Sequence, residues 1–209
     1  MSPEDCVNPT DLSSELRGSE VLVAVSGGIA AYKVATVVSG LVQRGAGVTV
    51  AMTAAAQRFV TPLTFEAISQ RRVFTSLWDS GNHHDSQHLS LTAAADIFII
   101  APATANIIGK SACGIADDLV STMVLSADSP ILLAPAMNTR MWENTAVRNN
   151  MRTLEQRGFE VIPPEEGWLA CGAVGAGRMA EPQAILAAAT AILKRKPPKC
   201  LEKKSSSSE

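Results

Sequence analysis

The stretch Val21-Leu-Val-Ala-Val-Ser26-Gly27-Gly28 decides the fold. Five apolar residues, a serine and two glycines are followed by helical spacing from Ile29 to Gln43, a stop at Gly45, and a second apolar run, Val48 to Thr53. A short, uninterrupted apolar run that ends in glycines and feeds a helix is the pattern of a parallel strand buried on both faces.

The pattern recurs along the chain. Asp96 to Ala101 and Pro130 to Pro135 read as buried strands, and Glu160 to Pro163 as a short last one. Helical patterning covers Pro62 to Ser69, Ala103 to Ser126, Thr139 to Arg157 and Gln183 to Leu193. Val73 to Trp78 reads as a further short strand, and the polar stretch Asp79 to Gln87 as a loop. Strands alternating with helices make βαβ units, whose right-handed crossovers place helices on both faces of a parallel sheet. No internal repeat is evident. The expected fold is one doubly wound, flavodoxin-like or Rossmann-like α/β domain over residues 20–193, with a flexible leader at 1–19 and a basic, serine-rich tail at 194–209.

Composition agrees with that outline. The 209 residues are 46% hydrophobic and only 4% aromatic, so the core is aliphatic. This excludes a disordered, collagen-like or coiled-coil chain. The tail carries six basic and two acidic residues (+4) and the rest twelve and eighteen (−6), which together give the net −2. That balance gives no reason to expect nucleic acid as a partner. No apolar run reaches the length of a membrane span, and no export signal precedes the first strand. The cysteines Cys6, Cys113, Cys171 and Cys200 form no CxxC pair, so the thiols read as reduced and the location as cytoplasmic.

In doubly wound sheets ligands sit beyond the carboxyl ends of the strands. After the first strand, Ser26-Gly27-Gly28-Ile29 lets a ligand approach the backbone and offers a helix amino end to a phosphate. It matches neither GxGxxG nor GxxxxGK[ST], and a tight turn without ligand explains it equally well. Thr53 after the second strand is a possible hydroxyl donor or a simple cap. Pro102-Ala103-Thr104-Ala105 after the third forms a close-fitting loop suited to a planar ring. Pro135-Ala136-Met137-Asn138-Thr139-Arg140-Met141-Trp142 follows the fourth.

His88 borders a polar loop, and such a histidine is more often structural than catalytic. Cys171 sits in the glycine-rich stretch Leu169 to Pro182, as a nucleophile, a proton donor or neither. His83, His84 and His88 lack zinc spacing with any cysteine, so no metal site is expected.

Taken together, several strings resemble one family, the homo-oligomeric flavin-containing cysteine decarboxylases. They are Ser26-Gly-Gly-Ile-Ala-Ala-Tyr-Lys33, Phe59-Val-Thr-Pro-Leu-Thr-Phe65, Ala101-Pro-Ala-Thr-Ala-Asn106, Gly114-Ile-Ala-Asp-Asp-Leu119, Pro135 to Trp142, Ala170-Cys171-Gly172 and Gly177 to Pro182. The resemblance runs from about Val21 to Leu193. It is strongest to the phosphopantothenoylcysteine decarboxylase branch, the decarboxylase half of the bacterial bifunctional coenzyme A biosynthesis proteins.

The resemblance implies FMN as cofactor. Ser26, Gly27, Gly28, Ile29 and Thr53 would hold its phosphate and ribityl chain, with Pro102, Ala103, Thr104, Ala105 and Ala136 along the isoalloxazine. It implies His88 and Cys171 as catalytic residues, Asn138 as the substrate-carboxylate ligand with Met141 beside it, and Ala170 and Gly172 flanking the substrate. The implied substrate is 4′-phosphopantothenoylcysteine, decarboxylated to 4′-phosphopantetheine. A hydride leaves the cysteine Cβ for the flavin, giving a thioaldehyde that loses CO₂. The enethiolate then regains a hydride, and Cys171 supplies a proton.

The family assembles as trimers, often grouped into dodecamers, so His88 and Asn138 are expected to meet from different subunits. No second nucleotide-binding region follows Leu193, so cysteine ligation is not expected. Three other readings stand beside this one: oxidative decarboxylation of a peptide C-terminal cysteine, a non-catalytic flavin-binding regulatory subunit, and a flavodoxin-type electron carrier. Lys33, Arg140 and Arg178 are unranked candidates for phosphate or carboxylate contacts.

Overall fold

The computed structural model describes residues 15–78, 87–168, 170, 172 and 174–195. Five parallel strands form the central sheet: β1 (Glu20–Val25), β2 (Gly47–Met52), β3 (Ile97–Ala103), β4 (Ile131–Pro135) and β5 (Glu160–Val161), in the order β2-β1-β3-β4-β5. Val21 pairs with Val48 on one side and Ile97 on the other, and Phe98 pairs with Ile131. The chain order reverses between β1 and β3, which opens a crevice beyond their carboxyl ends.

Alternation along the strands splits the core in two. Val21, Val23 and Val25 face one apolar cluster with Ile97, Ile99 and Ala101, while Leu22 and Ala24 face the other with Phe98 and Ile100. The first cluster is closed by α1 (Ala31–Gln43), α2 (Pro62–Ser69) and α8 (Pro182–Leu193). Helix α1 contributes Val34, Val37, Val38 and Leu41, all fully buried at helical spacing. The second cluster is closed by α4 (Ala105–Cys113), α5 (Leu119–Ser126) and α7 (Thr145–Gln156), through residues such as Ile107, Met123 and Leu154.

Several sequence expectations are corrected. The single helix expected from Ala103 to Ser126 is two, because Gly114 adopts a left-handed conformation (φ 72°) and Asp118 starts a new helix with a capping box to Ser121. The expected helix Thr139 to Arg157 is likewise divided into α6 (Thr139–Trp142) and α7, where the Asn144 side chain accepts from the Ala146 N–H. Val73 to Trp78 is not a strand; it contributes one bridge, Phe74 to Ala51. Helix α3 (Gln87–Ala94) was not anticipated, and residues 79–86 of the expected loop lie outside the described residues.

The glycine-rich stretch also contains a strand. β6 (Glu165–Trp168) and β7 (Val174–Arg178) form an antiparallel hairpin. Leu16, assigned to the leader, is 2% exposed in the core, and its N–H donates to the Arg44 carbonyl.

Candidate active site

The first strand end is held together by Ser26. Its buried hydroxyl donates to the Pro102 carbonyl at 2.6 Å and stands 3.0 Å from Thr104 Oγ1, while the Thr104 N–H donates to it at 3.2 Å. The loops after β1 and β3 are thereby joined. Gly27 packs against the loop after β2, where a Cβ would lie 2.3 Å from Ala55 Cβ. No side chain is tolerated there without movement. Thr53 is used locally, its Oγ1 accepting from the Ala56 N–H at 3.2 Å just before the short 3₁₀ turn Ala56–Arg58.

Above these loops lies a cavity of about 1000 Å³, at the upper end of the range common for ligand pockets. Gly27, Gly28 and Ile29 form one side and Thr104 and Ala105 another. Ala136 and Asn138 reach in from the loop after β4, Met141 from α6 (Thr139–Trp142), and Ala170, Gly177 and Arg178 from the hairpin. No side chain caps the amino end of α1, and its first turn carries no acidic residue. Such a helix start favours an anionic ligand.

Asn138 is the N-cap of α6, its Oδ1 accepting from the Arg140 N–H at 2.9 Å. That bond fixes the rotation of the amide and therefore which end is Nδ2, the donor. The backbone on either side is also held. The Ala136 N–H donates to the Ala103 carbonyl at 3.0 Å and the Met137 N–H to the Gly177 carbonyl at 2.9 Å.

One wall is ionic. Glu181 Oε1 accepts from Lys33 Nζ at 2.9 Å and is paired with Arg178, and all three residues line the cavity. Lys33, then Arg178, holds the Glu181 carboxyl below the usual carboxylate range.

The predicted residues therefore divide. Gly27, Gly28, Ile29, Thr104, Ala105, Ala136, Asn138, Met141 and Ala170 share the cavity wall; Ser26, Thr53, Pro102, Ala103 and Gly172 are not on it among the described residues. His88 sits on α3, which packs against α5 and β1, and does not line this cavity. Cys171 lies outside the described residues. Of the three unranked cations, Lys33 and Arg178 line the cavity and Arg140 does not. Tyr32, Trp168 and Glu181 are wall residues that the sequence did not single out. Glu181 stands next to a proline and only the fold brings it to Lys33.

Residues 9–194 match the Flavoprotein family. The chain belongs to that family. It is 49% identical over 171 residues to the coenzyme A biosynthesis bifunctional protein CoaBC of Bacillus subtilis, a match covering 82% of this chain and 42% of the relative. The chain thus spans less than half the length of the curated relatives it matches. Among solved structures it is similar to a Cys-to-Ser mutant of PPC decarboxylase complexed with pantothenoylaminoethenethiol. The TM-score is 0.78 at 32% identity, over 85% of this chain and 100% of that one. It is also similar to the FMN-dependent cysteine decarboxylase SpaF, with TM-score 0.74 and 31% identity over 84% and 97% of the two chains.

Proposed function

We propose that this chain is an FMN-dependent phosphopantothenoylcysteine decarboxylase, converting 4′-phosphopantothenoylcysteine to 4′-phosphopantetheine and CO₂ in coenzyme A biosynthesis. The observation that carries the reading is that Asn138, Met141, Gly28 and Thr104 line one cavity. It is supported by likeness to a PPC decarboxylase whose whole length this chain covers.

The residues present fit FMN. The uncapped start of α1 suits its phosphate, and Gly28, with no side chain, leaves that wall open. Thr104, Ala105 and Ala136 are small enough to lie against a flat ring. FMN supplies reversible hydride acceptance, the electron sink that a cysteine carboxylate lacks.

The chain's own residues do the rest. Asn138 receives the substrate carboxylate through Nδ2. An amide holds the carboxylate without a full charge, so departure of CO₂ does not break a buried ion pair. Met141 shields that contact from water. His88 is the general acid–base group and Cys171 the donor of the closing proton, from Sγ.

His88 lies away from the cavity of its own chain, so a second copy must bring it there. The assembly is therefore a homo-oligomer, a trimer or a dodecamer of four trimers. No described helix is long and apolar enough to cross a membrane; the compartment we assign is the cytoplasm. Residues 20–193 are the flavin-binding domain. Light scattering together with flavin content tests the site's assembly: a yellow oligomer is expected, and a monomer that binds FMN and turns over contradicts it.

A further inference from the structure

We propose that β7 is the element that positions Asn138, and that Gly175 and Gly177 are the positioning residues that let it do so. The inference rests on the reading of Asn138 as the carboxylate ligand.

The strand lies directly on the backbone around Asn138. At Gly177 (φ 136°) a Cβ would stand 2.2 Å from the Met137 carbonyl oxygen and 3.4 Å from the Asn138 carbonyl carbon. Only glycine permits both that conformation and that approach. The same pair of residues is bonded, the Met137 N–H donating to the Gly177 carbonyl at 2.9 Å.

Two residues earlier on the strand the contact repeats on the other side of Asn138. A Cβ on Gly175 would lie 2.6 Å from Thr139 Oγ1, 3.1 Å from its Cγ2 and 3.3 Å from its Cβ. Thr139 Oγ1 is buried and has no hydrogen-bond partner among the described residues. Leaving a hydroxyl desolvated and unpaired is unfavourable, so its position is set by packing against the strand and not by a bond of its own. Asn138 is thus flanked by two neighbours that β7 fixes, and its amide is turned by the Arg140 N–H.

The strand is itself anchored. Arg178, the last residue of β7, pairs with Glu181, which also holds Lys33 of α1. Asn138 is therefore held in register with α1 through β7 and Glu181. Displacing a substrate-holding group by about 1 Å costs on the order of 10²-fold in rate, so this register matters to turnover even though neither glycine need touch the substrate.

The test is Gly175→Ala in the FMN-loaded protein. Its kcat/KM for 4′-phosphopantothenoylcysteine should fall on the order of 10²-fold, chiefly through KM, with flavin content unchanged. Adding Thr139→Ala removes Oγ1 and Cγ2, leaving Cβ as the nearest Thr139 atom at 3.3 Å, and should restore most of the loss. In an Asn138→Ala background Gly175→Ala should cost little more. A Gly175→Ala protein as active as the parent, no recovery with Thr139→Ala, or an equal loss without Asn138 overturns the proposal.

Amide exchange provides a second readout that needs no activity and no new variant. The Met137 amide of the unsubstituted protein should exchange slowly, and an exchange rate like that of an exposed loop overturns the proposal even if Gly175→Ala does not fold. Should the protein fail to decarboxylate at all, the functional reading falls while this measurement still decides the register.

Discussion

Lys33 Nζ lies 2.9 Å from Glu181 Oε1, joining the first turn of α1 to the residue that starts α8 across 148 positions of sequence. With Arg178 on the same carboxylate, the contact closes one wall of the cavity. Glu181→Ala should raise KM several-fold while far-ultraviolet circular dichroism stays unchanged, and an unaltered KM would remove the wall from the account. The Glu181 carboxyl is held below its ordinary value by Lys33 and then Arg178. A depressed carboxylate contributes fully above its unfolded value of about 4.3 and is lost only as pH falls through the lower folded one. The contribution of this wall to KM is therefore expected to stay constant across neutral pH in the parent protein.

Ser26 and Gly28 separate support from contact. Ser26→Ala strips the bonds to Pro102 and Thr104 and should cost about 1–3 kcal/mol of stability, the usual cost of a buried unpaired group. Flavin should still bind at saturating concentration. Gly28→Val fills the cavity side of the same turn and should abolish flavin binding with the fold intact. Flavin titration of both variants, with thermal melts, checks this; equal affinity losses would place Ser26 in the binding surface.

Asp118 gives an acid-side prediction away from the site. Desolvation pushes its carboxyl up, but Lys110 at 2.7 Å and the Ser121 N–H and hydroxyl outweigh it and hold it below the usual range. Its stabilisation is complete above the unfolded value of about 3.9 and disappears as pH drops through the folded one. Asp118→Ala should lower stability at pH 7 by about 1 kcal/mol, the typical cost of a lost N-cap. Asp118→Asn, which keeps a capping oxygen, should cost less. Melts from pH 7 down to about 3 should show each variant and the parent converging.

The strands were legible because burial on both faces leaves nothing but apolar residues in Val21 to Val25 and Ile97 to Ile100. Their ends led to Gly28, Thr104, Ala136 and Asn138. The β6–β7 hairpin was not legible, because Gly175 makes room for the Thr139 side chain and Gly177 for the Met137 backbone, and neither gives an alternation of apolar and polar residues. The helix breaks at Gly114 and Asn144 fall inside continuous helical patterning, where a cap and a mid-helix polar residue read alike. The Lys33–Glu181 pair depends on tertiary structure alone. His88 and Cys171 stood out by their loop settings, but only family resemblance gave them catalytic roles.

His88 and Asn138 offer a test of assembly. If His88 serves the cavity of a neighbouring copy, His88→Asn and Asn138→Asp proteins should each be inactive alone and recover activity when their subunits are mixed in one oligomer. Mixed oligomers, verified by mass, that stay inactive would contradict shared sites.

The central claim is tested most directly by incubating the FMN-loaded protein with 4′-phosphopantothenoylcysteine and recording the mass of the product. The account predicts loss of CO₂ alone, giving 4′-phosphopantetheine, and loss of CO₂ plus two hydrogens from Cys171→Ser. An unchanged substrate, or a product two hydrogens short from the unsubstituted protein, would contradict it.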